Sequence, residues 1–275
     1  MEIRRNLRAY PTLLRIGIAE AVAYRAELIV WMLTTTLPLV SMVLWRAVAA
    51  EGPIGPERFS AGDFTAYFLL ALLVRLLTSS WVLWEMNREI RTGIMSQRLL
   101  RPVHPLVAYS AENLAATPLR ALLVLPVSLL LLYLYGRSEI TKDPLLVGAF
   151  VLSLPGAWAL TFLSMVLCGC LAFYIESSLG IFHLWYTTYV LCSGYLVPLS
   201  LLPGPVRALA EVLPFRYMLD FPVRLLLGLP GLQGSAAHAA VLSHLVVEYA
   251  YVAGLLIAVA LLWRAGLRRY AAFGA

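Results

Sequence analysis

Charged residues are scarce in this sequence. They make up 13% of the 275 residues, whereas apolar types make up 61%, and an ordinary soluble domain has about 25% charged residues. A soluble fold of this length needs a larger charged surface, so the apolar excess has to face lipid. The net charge of +6 does not indicate nucleic acid, because the basic residues adjoin apolar runs and follow membrane topology.

Motifs for catalysis are also missing. The only lysine, Lys142, lies in Thr-Lys-Asp and not in the Gly-x-x-x-x-Gly-Lys-Ser/Thr loop that binds nucleotide phosphates. The four histidines form no His-Glu-x-x-His pattern, and no Gly-x-Ser-x-Gly elbow occurs. Cys168, Cys170 and Cys192 lie within apolar runs, which favours packing over a disulfide or metal site. The sequence thus predicts no enzyme, metal or cofactor in this chain.

The sequence does contain long apolar runs. A hydrocarbon core near 30 Å needs about 20 helical residues, and six runs of about that length or longer occur. The sequence therefore predicts an all-α polytopic protein, with residues 1–275 forming a single transmembrane domain. The fourth run is long enough to be tilted, or broken near Pro155-Gly156. The predicted spans are Leu28–Ala49, Phe64–Trp84, Ala115–Tyr135, Leu145–Phe173, Leu179–Ser200 and Ala239–Trp263.

The distribution of basic residues predicts the orientation. Arginine and lysine favour the cytoplasmic side of short loops. With the N-terminus inside, twelve arginines fall in cytoplasmic segments, while the outer segments hold six basic residues offset by seven acids. Both termini are therefore predicted to be cytoplasmic.

The segments at the two membrane surfaces are amphipathic. Residues 1–27 place apolar residues near one helical face and arginines on another, which predicts a helix in the inner headgroup layer. Pro11 predicts a break in it. A plain basic tail is the alternative. Residues 200–237 are apolar and rich in proline, which predicts short outer helices that re-enter the membrane or cap the spans. The sequence is compatible with two roles for this segment, a gate or a structural lid.

The loop at residues 85–105 is predicted to be a cytoplasmic helix that docks on a partner protein. Met86 and Ile90 recur four residues apart, and arginines recur at a spacing of three, so a helix here is amphipathic up to Gly93. A solvated connector is the alternative. The predicted docking residues are Arg88, Arg91, Ile94, Arg98 and Arg101.

Two charges fall well inside predicted spans. Burying a charge at the bilayer centre costs at least about 2.5 kcal/mol, so such groups face a partner or water. Arg75 lies in the second span and Glu248 in the sixth, and they are predicted to form an ion pair or to face a pathway. Arg46 and Arg120 are expected to snorkel to the interfaces.

The order of short motifs resembles the type-2 permeases of bacterial ABC-type exporters, in the six-helix subgroup of about this length. The matching motifs are Tyr24-Arg25-Ala26-Glu27, Gly93 with Leu99-Leu100-Arg101-Pro102-Val103, Gly194 with Val197-Pro198-Leu199, Leu202-Pro203, Leu213-Pro214-Phe215, and Arg264-Ala-Gly266-Leu-Arg268-Arg269-Tyr270. The resemblance implies a connecting helix at 1–27, a coupling helix at 85–105 and short outer helices.

The resemblance also implies the protein's partners. These are a second copy or a related permease, the lipid bilayer of the bacterial inner membrane, and cytoplasmic ATP-binding subunits that bind ATP and Mg²⁺. The predicted function is therefore that of an exporter permease. A secondary transporter or channel without an ATPase, or a membrane-embedded enzyme, are the alternatives. So apolar a chain suits an amphipathic or hydrophobic cargo such as a drug, lipid or lipidated metabolite.

Overall fold

Helices make up the structure, as expected where backbone groups leave water and must bond within the chain. The computed structural model describes residues 2–26, 30, 36–135, 140–175, 178–228 and 235–270. Two 3-10 turns, Leu171–Phe173 and Leu199–Leu201, accompany the α-helices. These are α1 (Glu2–Ala23), α2 (Leu37–Ala49), α3 (Ala61–Thr78), α4 (Val82–Arg91), α5 (Met95–Leu99), α6 (Pro105–Ala115), α7 (Thr117–Tyr135), α8 (Pro144–Cys170), α9 (Leu179–Cys192), α10 (Gly204–Val212), α11 (Phe215–Met218), α12 (Asp220–Leu227) and α13 (Ser235–Arg269).

The predicted all-α polytopic fold is confirmed. Within the described residues, four helical stretches are long and apolar enough to cross a membrane: 61–91, 105–134, 144–173 and 238–269. The shorter apolar helices α2 and α9 lie in the first and fifth predicted spans. Residues 28, 29 and 31–35 of the first predicted span lie outside the described part of the chain.

The two ends of the bundle differ. At one end, which we call the basic end, α5 lies beside the last turn of α13, with Ser96 Oγ 3.2 Å from Tyr270 Oη. At the other, the cap end, the Thr141 amide donates to the Leu226 carbonyl at 2.7 Å, so the turn before α8 contacts α12. The long helices run between these ends.

Helix α3 lies at the centre of the bundle. It packs against α2, α7, α8 and α12, and most of its side chains are buried. Toward the cap end its aromatic residues Phe64, Tyr67 and Phe68 form the middle of one apolar cluster. A second cluster lies toward the basic end, where α4 and α13 pack on α8.

The second predicted span is interrupted, which is a correction. Helix α3 ends at Thr78 and α4 begins at Val82, so Ser79, Ser80 and Trp81 form a break inside Phe64–Trp84. Asn113 Oδ1 accepts from Ser80 Oγ at 2.9 Å and from the Trp81 amide at 3.2 Å. These bonds satisfy polar groups that the break releases, which makes it tolerable at this depth.

Arg120 also bonds to the backbone at the break. The prediction that it snorkels to the interface is wrong. Its Nη1 donates to the Ser79 carbonyl at 3.1 Å and to Ser79 Oγ at 2.7 Å. The residue is buried, with 8% of its surface exposed. The acceptor released by the break draws the guanidinium inward and replaces the headgroup interaction.

Three further boundaries differ from the sequence predictions. The α1 helix continues through Pro11, and α8 continues through Pro155. Proline removes one backbone hydrogen bond, and packing of α1 on α6 and of α8 on α13 compensates for that loss. The fifth span ends at Cys192 instead of Ser200, because the backbone turns at Gly194 with φ of 85°.

Close contact with small residues positions α1 against α6. A Cβ at Gly17 would lie 2.6 Å from Ala115 Cβ. The contact is extended by Asn6 Oδ1, which accepts from the His104 amide at 3.2 Å. The opposite side of α1 exposes Arg15 and Ile16, in agreement with an amphipathic helix at the membrane surface.

Buried polar groups hold the cap end together. Tyr67 Oη of α3 donates to Asp220 Oδ1 at 2.8 Å and lies 3.0 Å from the Gly194 carbonyl. Arg224 of α12 donates to Glu57 Oε1 at 2.6 Å, which ties α12 to the loop between α2 and α3. The predicted outer segment therefore contains the short helices α10–α12, of which α12 is bonded to α3 through Asp220.

Gly194→Ala tests this arrangement. A Cβ at residue 194 would lie 2.2 Å from Tyr67 Oη, and φ is positive, so we expect a loss of roughly 1–3 kcal/mol of stability. Gly180→Ala is the control, because nothing lies within 4 Å of its Cβ position. The measurement is the temperature at which the detergent-solubilised protein loses monodispersity. Equal melting of both variants contradicts the prediction.

Candidate functional site

The amphipathic helix at the basic end is α4. Its buried face carries Met86 and Ile90, and Met86 Sδ lies 3.0 Å from the Cβ position of Gly169 on α8. The absence of a side chain at Gly169 thus allows α4 to pack closely on α8. Arg88 and Arg91 lie on the exposed face.

A tight turn joins α4 to α5. Gly93 adopts φ of 78°, the left-handed conformation that glycine takes most readily at the end of a helix. Thr92 Oγ1 donates to the Arg88 carbonyl at 2.8 Å. Met95 is then buried beneath α5, while Ile94 remains 39% exposed.

Arg98 connects α5 to the neighbouring helices. Its Nη2 donates to Glu85 Oε1 at 2.8 Å and to Glu89 Oε1 at 2.7 Å, both on α4. Its Nη1 donates to both oxygens of Glu112 on α6 at 3.0 Å. The guanidinium carbon also lies 4.1 Å from the centre of the Tyr109 ring. We call these five residues the Arg98 cluster.

The Arg98 cluster keeps its central charge. Burial alone would lower the pKa of Arg98, but the Glu89 hydrogen bond and the charge of Glu112 raise it above its ordinary value. Tyr109 Oη donates to Glu89 Oε2, the oxygen that Arg98 does not contact. One cation therefore neutralises part of the charge of three carboxylates and holds α4, α5 and α6 together.

The predicted docking residues separate into two groups. Arg88, Arg91 and Arg101 are exposed and Ile94 is partly exposed, whereas Arg98 is only 7% exposed and is held by carboxylates. Arg98 therefore does not offer a free charge to a partner. Its carboxylate partners were not predicted, because Glu112 lies fourteen residues away on another helix.

Leu100 is an exposed apolar residue that the sequence reasoning missed. It is 86% exposed and follows Arg98 at the end of α5, next to Arg101. Its position in Arg98-Leu-Leu-Arg101 was the available signal. Between α4 and the start of α9, an open cleft of about 470 Å³ is lined by Trp84, Asn87, Arg88, Arg91, Thr92 and Leu179.

Arg75 and Glu248 do not form the predicted ion pair. The Arg75 guanidinium points toward α9, with its carbon 5.0 Å from the centre of the Tyr189 ring. Glu248 on α13 points at α8, and its Oε1 lies 2.3 Å from the Cβ position of Gly156. Each side chain is directed by the helix it packs on, so the two charges stay apart.

Metal ligands are not grouped in the described part of the chain, where no set of three or more His, Cys, Asp or Glu side chains could hold an ion. The cysteines Cys168, Cys170 and Cys192 are free and buried.

Comparison with known families decides the class of protein. Residues 58–274 match the family described as ABC-2 family transporter protein. The chain belongs to the ABC-2 transporter family. No curated protein and no solved structure matches it. As an ABC-2 permease it is a multi-pass membrane component of a transporter, and the matched range contains α4, α5 and the Arg98 cluster.

Arg98→Met tests the role of the cluster in this ABC-2 permease. Removal of the cation leaves three carboxylates facing one another, so we expect a loss on the order of 3 kcal/mol. Arg101→Met removes an exposed arginine three residues away and should change stability little. Thermal unfolding and trypsin cleavage at Arg88 and Arg91 report the effect. If both variants resist heat and trypsin equally, Arg98 does not hold these helices together.

Proposed function

We propose that this chain is the permease subunit of an ATP-driven exporter in the bacterial cytoplasmic membrane. A second copy or a related permease completes the translocation pathway, and separate cytoplasmic subunits bind ATP and Mg²⁺. The exposed surface of α4 and α5 is the observation that carries the proposal. It is the contact site for the ATP-binding subunit.

The composition of this surface suits a protein partner. Arg88, Arg91 and Arg101 provide positive charge, and Leu100, which precedes Arg101, exposes 86% of its surface. Together with the exposed Ile94 and Leu99 it forms apolar surface that a partner would bury. Arginine is also enriched at protein interfaces, where its planar fork pairs with carboxylates.

The Arg98 cluster supports the transmission of force. Because Arg98 bonds to α4 and α6, displacement of α5 moves both helices together. Helix α4 packs on α8, and α6 packs on α1 and continues into α7. A rigid-body shift of the coupling segment thus reaches the long helices, as in other transitions that move packed elements as units.

Exposed apolar faces are available for the second permease. Helix α9 makes few contacts within the chain and exposes Leu184, and α2 exposes Val43. These faces suit either lipid or a second copy. An amphipathic or hydrophobic cargo suits a pathway bordered by such helices.

A transporter that works without an ATPase is the competing function. Gentle extraction of a tagged chain should recover a nucleotide-binding subunit, and reconstituted transport should require hydrolysable ATP. Recovery of the permease alone, together with transport that ignores ATP, contradicts the proposed function.

The double substitution Arg88→Glu and Arg91→Glu tests the contact surface. Reversal of two exposed charges should weaken association with the ATP-binding subunit roughly tenfold or more, while the Arg98 cluster stays intact. The measurement is the affinity of the purified permease for that subunit, together with transport per ATP hydrolysed.

Arg264→Glu is the matched control for this test. Arg264 is exposed at the same end of the bundle but belongs to α13 and not to α4 or α5. It should retain wild-type affinity. If the control loses as much affinity as the double variant, the effect belongs to the charge of the whole surface and the assigned contact is wrong.

A further inference from the structure

We propose that Arg75 and the tyrosines beside it bind the anionic headgroup, a phosphate or carboxylate, of an amphiphile that crosses along α9. This inference rests on the proposed function, since it names the chemical class of the cargo. The binding itself is a property of the permease alone.

Arg75 is a buried charge that forms no ion pair with any of the described residues. It lies in the last turn of α3 and is 6% exposed. Its guanidinium carbon lies 5.0 Å from the Tyr189 ring centre and 5.9 Å from that of Tyr195. Among the described residues, its Nη1 has no hydrogen-bond partner. Cation–π contacts and hydrogen bonds to the neutral hydroxyls of Tyr189 and Tyr195 compensate a buried guanidinium only partly.

A second arginine adds to the positive potential. Arg120 of α7 bonds to Ser79, which directly follows the last turn of α3 where Arg75 lies. Its hydrogen bonds go to neutral acceptors of Ser79. Within the described part of the chain, no carboxylate forms an ion pair with either arginine. Two cations in a region of low dielectric favour an anion and repel a cationic ligand.

An aromatic row connects this position with the basic end. The ring centre of Phe182 lies 4.6 Å from that of Trp84, and Trp84 lines the same cleft as Arg88 and Arg91. Along α9 the Phe182 ring centre lies 6.1 Å from Trp185, and Trp185 lies 5.5 Å from Tyr189.

This row suits an amphiphile with an acidic headgroup. The apolar tail can lie along the rings of α9, as aromatic faces accept apolar surface. The headgroup then meets Arg75 at the end of the row that lies farther from the cleft. A neutral or cationic headgroup leaves Arg75 uncompensated, so the charge pattern selects the anion.

The test measures binding of dodecyl phosphate to the purified permease in nanodiscs of phosphatidylcholine. We expect saturable binding that Arg75→Gln weakens roughly tenfold, the loss of one or two charge-assisted hydrogen bonds. Dodecylphosphocholine, which adds a cationic group to the same chain and phosphate, should compete poorly. Equal affinity of wild type and Arg75→Gln, or equal binding of both amphiphiles, overturns the proposal.

Two further variants keep the test decisive. Arg46→Gln removes an exposed arginine of α2 and should bind dodecyl phosphate like wild type; a matching loss there contradicts a site at Arg75. If Arg75→Gln does not fold, Arg75→Lys replaces it. Lysine keeps the charge but lacks the planar fork, so we expect binding to weaken severalfold, and undiminished affinity contradicts the assignment.

The source of the headgroup is distinguished by adding phosphatidylglycerol to the nanodiscs. If this lipid abolishes dodecyl phosphate binding to wild type, a membrane lipid occupies the Arg75 site. If it does not compete, the site takes a single-chain anionic cargo. Neither result depends on an ATP-binding subunit, so failure of the proposed function and failure of this site are separate outcomes.

Discussion

A polar group that leaves water has to find its partner inside the protein, and this constraint shapes the fold more than any single apolar contact. Helices satisfy most of the backbone. Where the helix between residues 61 and 91 breaks, Asn113 and Arg120 supply the missing bonds. The break is therefore stable only because α6 and α7 lie beside it, and the position of these helices follows from their polar side chains.

The same constraint gives the two ends different structures. At the cap end, Tyr67, Asp220, Arg224 and Glu57 bond to one another, so the short outer helices are held to α3. At the basic end, Arg98 takes up the carboxylates of α4 and α6 and thereby leaves Arg88, Arg91 and Arg101 exposed. An internal ion-pair cluster thus makes a rigid support for an external charged surface. The support and the surface come from different arginines of one short segment.

Local sequence patterns predicted part of this arrangement. The apolar runs and the spacing of Met86 and Ile90 predict helices directly, because a helical period places these residues on one face. Gly93 predicts the end of α4 for a similarly local reason. The spans interrupted at Ser79 and continued through Pro155 could not be predicted, since tertiary packing decides both. The burial of Arg98 could not be predicted from the sequence either. Its pattern matches that of the exposed arginines, and only the approach of Glu112 from α6 separates it from them.

Arg75 and Glu248 are two buried charges that are not paired with each other, in contrast to the buried polar groups described above. They carry opposite charges and lie in helices that both pack on α8, so pairing would relieve two burial costs together. The structure nevertheless directs Arg75 to Tyr189 and Glu248 to Gly156. Proteins that follow the rules of local structure and packing at most positions tend to break one of them at functional sites. Among the described residues no carboxylate pairs with the Arg75 guanidinium, which lies at the end of an aromatic row. This is the position at which the proposed anionic headgroup would supply the counter-charge.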